Sequence, residues 1–136
     1  MEKNGGIVNW ENLHTSDSAE WETPQALFDH FDQRFNFNLD AAAAAHNWKV
    51  GNYFSKEKCA FDHVWADHGS TVWLNPPYGR RVGLWVERAH QQAQAGKIKV
   101  VVLIMARTDT AYFHDHIMKA NEIHFLRGRV KFERDD

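Results

Sequence analysis

Cysteine is nearly missing from this chain: Cys59 stands alone among 136 residues, so no internal disulfide can form and a reducing compartment is expected. Long apolar runs are missing too. No stretch approaches the length that crosses a bilayer, and the opening MEKNGGIVNW has no signal-peptide core. These absences lead to the expectation of a soluble, cytoplasmic protein with no membrane partner. Charge of one sign is also lacking. The formal net charge is -2, too small for a global field that draws nucleic acid. Proline is scarce, three in all, yet two of the three are adjacent, Pro76 and Pro77.

What is present suffices for one folded domain. Hydrophobic residues make up 43% and aromatic residues 13%, with six tryptophans, which suits a tightly filled core or stacking surfaces. Residues 1–20 are polar and aperiodic and read as a flexible leader ahead of a domain over residues 21–136. Thr23 suits a helix N-cap and Pro24 the first helical position. Leu27, Phe28, Phe31 and Phe35 then recur at helical spacing. Strict alternation over residues 35–40 predicts a strand that opens into the alanine run 41–45. Tyr53 and Phe54 suggest a second short strand, and residues 55–70 read as loop with a helical turn near 61–65.

Val72, Trp73 and Leu74 predict a strand, followed by a helix over 82–95 with Gly96 as its stop. The continuous run 99–105, KVVVLIM, predicts a parallel strand buried on both faces. Tyr112, Phe113, Ile117 and Ala120 mark a short helix, and residues 122–126 and 129–132 read as two further strands around Gly128. The alternation of strands and helices predicts an α/β fold, a single open, twisted, mostly parallel sheet flanked by helices. In such sheets ligands bind beyond the carboxyl ends of the strands. Three segments fall there: Asp40-Ala41-Ala42, Asn75-Pro76-Pro77-Tyr78, and Arg107-Thr108-Asp109-Thr110.

The segment VWLNPPYGRR carries the most chemistry. Two prolines cannot continue a hydrogen-bonded strand, so Asn75 and Tyr78 are displayed on a stiff turn just past its end. A flat base with an exocyclic amine, such as adenine, has a delocalised and weakly nucleophilic nitrogen. The Asn75 side-chain oxygen and the Pro76 carbonyl, its direction fixed by the rings of Pro76 and Pro77, can each accept one amine N–H as nitrogen attacks a methyl group. Tyr78 offers a stacking face for a base swung out of a duplex. The plain alternative is a strand terminator with Tyr78 packed on the core.

The chain resembles the phage and prophage DNA N6-adenine methyltransferases, the Dam-like group that uses S-adenosylmethionine. The resemblance covers roughly residues 21–132. It rests on Trp21-Glu22-Thr23-Pro24 leading into Leu27-Phe28-Asp29, and on Phe37-Asn38-Leu39-Asp40-Ala41-Ala42. Further pieces are Asn47 with Tyr53-Phe54, Leu74-Asn75-Pro76-Pro77-Tyr78-Gly79, and Ala106-Arg107-Thr108-Asp109-Thr110 with Phe113-His114. The last is Phe125-Leu126-Arg127-Gly128-Arg129-Val130-Lys131-Phe132.

The resemblance implies a Rossmann-like methyltransferase fold, in the cytoplasm of a bacterial host cell, acting on double-stranded DNA. It also implies that Trp21, Thr23, Pro24, Asp40, Ala41, Ala42 and Asn75 hold the methyl donor, while Asn75, Pro76, Pro77 and Tyr78 hold the adenine. Without the resemblance, the residues alone favour Asp40 as a helix N-cap; Thr23-Pro24 reads also as a helix start, and there both roles can hold at once. Two departures stand out: alanines replace the glycine-rich loop usual after such a strand, and family members run on past the final segment to a last edge strand, whereas this chain stops at Asp136.

Arg80 and Arg81 follow the turn directly. With Arg107, Arg127, Arg129 and Lys131 they are candidates for contacts to DNA phosphates, against the plain reading of solvated surface charge. A catalytically impaired binding module of the same fold is the alternative function. A metal-dependent nuclease is the remote one, suggested by Asp62-His63, Asp67-His68 and His114-Asp115-His116; none of these has ligand spacing paired with a second cluster, so no metal is expected.

Overall fold

The helical spacing of Leu27, Phe28 and Phe31 produces α1 (Gln25–Phe35) in the computed structural model, which describes residues 21–131 and 133–134. The leader expected over residues 1–20 and the strand end expected at Phe132 lie outside the described residues. Before α1 comes β1 (Trp21–Glu22); after it come β2 (Leu39–Asp40), β3 (Thr71–Leu74), α2 (Val82–Gly96), β4 (Lys99–Val102), α3 (Ala111–Asp115) and β5 (Glu133–Arg134). Strands β2, β3 and β4 form a parallel sheet in that order, with Leu39 opposite Val72, Asp40 opposite Trp73, and Leu74 opposite Val102. β1 pairs with β5 in a separate antiparallel ladder.

The central strand explains the layering. Val72 and Leu74 point into a cluster with Leu39, Phe54, Trp65, Trp85 and Ala89, which α2 and two short 3-10 turns, Ala60–Asp62 and Trp65–Asp67, close over one face. Trp73 points the other way, edge-on to Phe28 of α1 at 5.3 Å and beside Phe37. β4 follows the same alternation, Val100 and Val102 to the first cluster and Val101 and Leu103 to the second. Burying a side chain such as Leu39, Phe54, Val72 or Leu74 contributes ~1.5–3 kcal/mol. The two clusters therefore hold the strand ends rigidly in place. No described helix is long and apolar enough to cross a membrane.

Several expectations are corrected. The strand expected over 35–40 shrinks to Leu39–Asp40, because α1 continues through Phe35 and Asn36 adopts a left-handed φ of 53°. The Asp32 carboxylate then accepts the Phe37 N–H at 2.8 Å, which fixes the turn that the alternation disguised. Tyr53 makes a single parallel bridge to Asp40 instead of a strand. The 99–105 run is strand only to Val102; residues 100–104 are half-buried rather than buried, and Lys99 and Met105 are exposed. No strand forms over 122–126 or 129–131; these residues are almost all exposed and irregular. The helix expected to run to Ala120 stops at Asp115 and resumes as a 3-10 turn, Ile117–Lys119.

Gly96 is not the left-handed stop of α2. It is the last helical residue, and Lys97 takes the left-handed position with φ 54°. Gly96 answers to packing: a Cβ there would lie 2.7 Å from the Ala66 Cβ.

Candidate active site

The ladder between β3 and β4 ends where the Leu103 N–H donates to the Leu74 carbonyl at 2.9 Å, and Pro76 and Pro77 prevent further rungs. Asn75 thus stands just past the carboxyl end of the central strand. Its Nδ2 donates to the Thr23 Oγ1 at 2.9 Å, across 52 residues of sequence. Its Oδ1 is buried and meets no hydrogen-bond partner among the described residues. A buried carbonyl oxygen left without a donor costs about 1–3 kcal/mol, so this position can take a donor that the described residues do not supply.

Thr23 corrects a further expectation. It does not cap α1. Pro24 occupies the N-cap position, with ψ 133° and no side-chain cap bond, and its carbonyl accepts from Leu27 and Phe28. Thr23 is instead only 3% exposed, its hydroxyl turned to Asn75. Trp21 lies in β1, opposite Arg134, immediately before this contact.

Asp40 is also no helix cap, since the residues directly after β2 form turns and bends rather than a helix. Its Oδ1 accepts from the Ala42 N–H at 3.2 Å, a short Asx-type turn, and its Oδ2 from the Lys49 N–H at 2.9 Å. The carboxyl is 3% exposed, and burial pushes it up to about 7 despite those two backbone donors and the charge of Lys49. Ala41 is buried against the sheet, its N–H donating to the Trp73 carbonyl. Asn47 accepts from the Ala44 N–H at 2.7 Å and turns the chain back toward Tyr53. The alanines therefore occupy the tight turn that glycines would occupy in other proteins, with a side-chain carboxylate supplying the hydrogen bonds.

The register unites these groups. Asp40 pairs with Trp73 on a strand about 4.8 Å away, and Asn75 lies two residues past Trp73, just beyond the end of β3. Trp73 faces α1, so Asp40 shares that face, and the Thr23 bond brings the start of α1 over the same end. Lys49 Nζ donates to Gln25 Oε1 at 3.1 Å, tying the loop after β2 to the first turn of α1. Gln25 and Lys49 were not singled out from the sequence; nothing in their local pattern distinguishes them from ordinary surface residues.

Past Asn75 the chain turns sharply. Tyr78 is half-buried, and burial pushes its phenol well up from the usual value, so it remains neutral. Gly79 has φ 126°, a conformation side chains disfavour, and it delivers Arg80 and Arg81 to the start of α2. Arg80 is exposed, and Arg81 is the N-cap residue. Arg107, exposed beyond β4, lies at the same end of the sheet. Arg127, Arg129 and Lys131 are exposed on the irregular segment that leaves Glu122, paired with Arg34 in the last turn of α1, and returns to β5 beside β1. The acid–histidine pairs do not converge: among the described residues no three His, Cys, Asp or Glu side chains come together to hold a metal ion.

Residues 11–136 match the family described as DNA N-6-adenine-methyltransferase (Dam). A DNA N-6-adenine-methyltransferase of Haemophilus phage HP1 is 33% identical over 129 residues, covering 93% of this chain and 73% of the phage protein. The enzyme of the same description from Escherichia phage T1 is 29% identical over 129 residues; there the chain spans about half, 53%, of the relative's length. No solved structure gives a significant match. A chain that matches this family from residue 11 to its last residue, and a third of whose residues are shared with a phage enzyme of that kind, belongs to the Dam family of adenine-specific DNA methyltransferases.

Proposed function

We propose that this chain transfers the methyl group of S-adenosylmethionine to N6 of adenine in double-stranded DNA, with the base turned out of the duplex onto the Asn75-Pro76-Pro77-Tyr78 turn. The observation that carries the reading is the buried, unpartnered Oδ1 of Asn75 at the carboxyl end of β3. It can accept one N–H of the adenine amine, and the Pro76 carbonyl the other. Two acceptors draw the amine nitrogen out of conjugation and towards the geometry of attack. Neither has to act as a strong base, because the nitrogen becomes acidic only when it bears the new bond and then releases its proton to water. Tyr78, neutral and half-buried, supplies the stacking face.

The residues at the end of β2 fit a cationic methyl donor. Asp40 is a buried carboxyl whose charge is under-compensated, and a positive group beside it would favour its ionised form. Ala41 and Ala42 keep the adjoining turn small, and Trp21, Thr23 and Pro24 border it through the contact to Asn75. When bound there, S-adenosylmethionine supplies an electrophilic methyl on sulfonium, and the S–C electron pair leaves with the thioether as the N–C bond forms. The three-strand parallel sheet is then the core of a Rossmann-like donor-binding fold. Arg80, Arg81 and Arg107 contact DNA phosphates near the flipped nucleotide, and Arg127, Arg129 and Lys131 contact the backbone further out.

The test is to incubate the chain with unmethylated duplex DNA and isotopically labelled S-adenosylmethionine, digest to nucleosides, and identify the product by mass spectrometry. Labelled N6-methyl-2′-deoxyadenosine is expected. Donor binding without product, or label on cytosine, would overturn the reading.

A further inference from the structure

We propose that Thr23 is a positioning residue, whose hydroxyl holds the Asn75 carboxamide with its nitrogen turned away from the substrate and its oxygen turned toward it. The inference rests on the reading of Asn75 as acceptor for the adenine amine, and assigns to Thr23 a task distinct from donor binding.

A carboxamide has two nearly isosteric ends of opposite chemistry. With Oδ1 toward the site, Asn75 accepts from an amine. Rotated by half a turn, it presents two N–H groups to a substrate group that also presents N–H groups, and the contact becomes repulsive. The prolines fix the backbone of the turn but place no restraint on this rotation. The restraint is the 2.9 Å bond from Nδ2 to Thr23 Oγ1. Thr23 is 3% exposed, so water does not compete for that bond, and Oδ1 on the opposite side has no partner among the described residues. Thr23 itself is held by its place between β1 and the Pro24 start of α1, whose Phe28 packs on Trp73, two residues before Asn75. The restraint therefore runs from α1 to the end of β3 without involving any ligand.

Three variants, Thr23→Val, Thr23→Ser and Asn75→Ala, are compared with the parent by two readouts. The first uses no ligand. In ¹H–¹⁵N spectra, the side-chain amide pair that disappears in Asn75→Ala belongs to Asn75. Its hydrogen-bonded proton is expected to shift and lose exchange protection in Thr23→Val and to persist in Thr23→Ser. The second is steady-state methyl transfer. Thr23→Val, which keeps the shape but not the acceptor, is expected to lower kcat roughly tenfold, the worth of one buried hydrogen bond, with little change in donor affinity. Thr23→Ser recovers most of the loss, and Thr23→Val adds little on an Asn75→Ala background.

An Asn75 amide signal unmoved by Thr23→Val overturns the proposal, as does unchanged kcat. A loss of donor affinity as large as the loss of kcat also overturns it and makes Thr23 a donor-binding residue. Near-parental turnover in Asn75→Ala overturns instead the reading of Asn75 as the acceptor, and is recognised separately from any result at Thr23.

Discussion

The backbone N–H of Lys49 donates to Oδ2 of Asp40 at 2.9 Å, fastening the end of a nine-residue excursion onto the residue where it begins. The loop is thereby closed on a carboxyl group that is itself withdrawn from water.

Stability should therefore fall with rising pH over the range in which Asp40 ionises. Burial raises its carboxyl from the ordinary 3.8 to about 7, so the folded chain keeps this proton to higher pH than the unfolded chain does. The folded state then binds more protons than the unfolded state between these values, and the contribution is lost as pH rises through them, on the order of a few kcal/mol. Asp40→Asn, which mimics the protonated group, is expected to flatten this part of the profile in urea unfolding at pH 5 and pH 8. Parallel losses in parent and variant would show that Asp40 is not the group responsible.

The same carboxyl predicts a pH dependence of donor binding. A cationic donor beside Asp40 favours its charged form, so binding expels a proton and tightens as pH rises from 6 to 8. Calorimetry in buffers of different ionisation heat should detect that proton, and Asp40→Asn should bind more weakly and without the pH trend. Unchanged affinity in the variant would leave Asp40 as the closure of its loop alone.

Asn75→Ala is expected to lower turnover at least ~100-fold, by analogy with removing one aimed hydrogen-bonding group from an active site. The Asn75 oxygen has no partner among the described residues, so what the fold loses is the Nδ2 bond to Thr23 Oγ1, and a destabilisation of about 0.5–1.5 kcal/mol is expected in thermal unfolding, with the fold retained. Near-parental activity would remove Asn75 from the chemistry.

Two neighbouring substitutions should move stability in opposite directions. Helix propensity alone favours Gly96→Ala, yet a Cβ at residue 96 would meet the Ala66 Cβ at 2.7 Å, so a loss of about 1–3 kcal/mol is expected. Lys97→Gly relieves a left-handed residue with φ 54° and should stabilise by about 0.5–1 kcal/mol. Urea denaturation of both variants checks the pair of signs.

Gly79→Ala places a side chain at φ 126° directly between Tyr78 and Arg80. The strain is of order 1–3 kcal/mol and is relieved by shifting the turn. Methyl transfer should therefore fall more than thermal stability does, and a variant with full activity would show that the turn tolerates displacement.

Local pattern sufficed for the parts of the molecule governed by near neighbours. The apolar stripe of α1, the strand before Asn75 and the helix after Gly79 are all present where spacing, proline and apolar runs place them. It misled where a single residue reversed the chain. Asn36 turns the chain out of α1, and Phe37, which reads as an alternating strand residue, is instead packed between Phe28 and Trp73. Residues 122–126 read as a strand yet join no ladder among the described residues, because strand pairing depends on a partner edge that sequence alone does not supply. The candidate site was legible in part. Asn75 and its prolines declare themselves locally, whereas the Thr23 bond spans 52 residues and no window of sequence contains both ends.

The antiparallel pairing of Trp21 with Arg134 has a consequence in time. Synthesis delivers Asp40, Asn75 and the whole parallel sheet well before it delivers β5, so a nascent chain can assemble that sheet while β1 still lacks its partner. The segment carrying Thr23 is clasped from its amino-terminal side only after residue 134 has been made. Closing a contact of such sequence separation is intrinsically slow. Competence for methyl transfer would then trail the formation of the core during the maturation of each molecule.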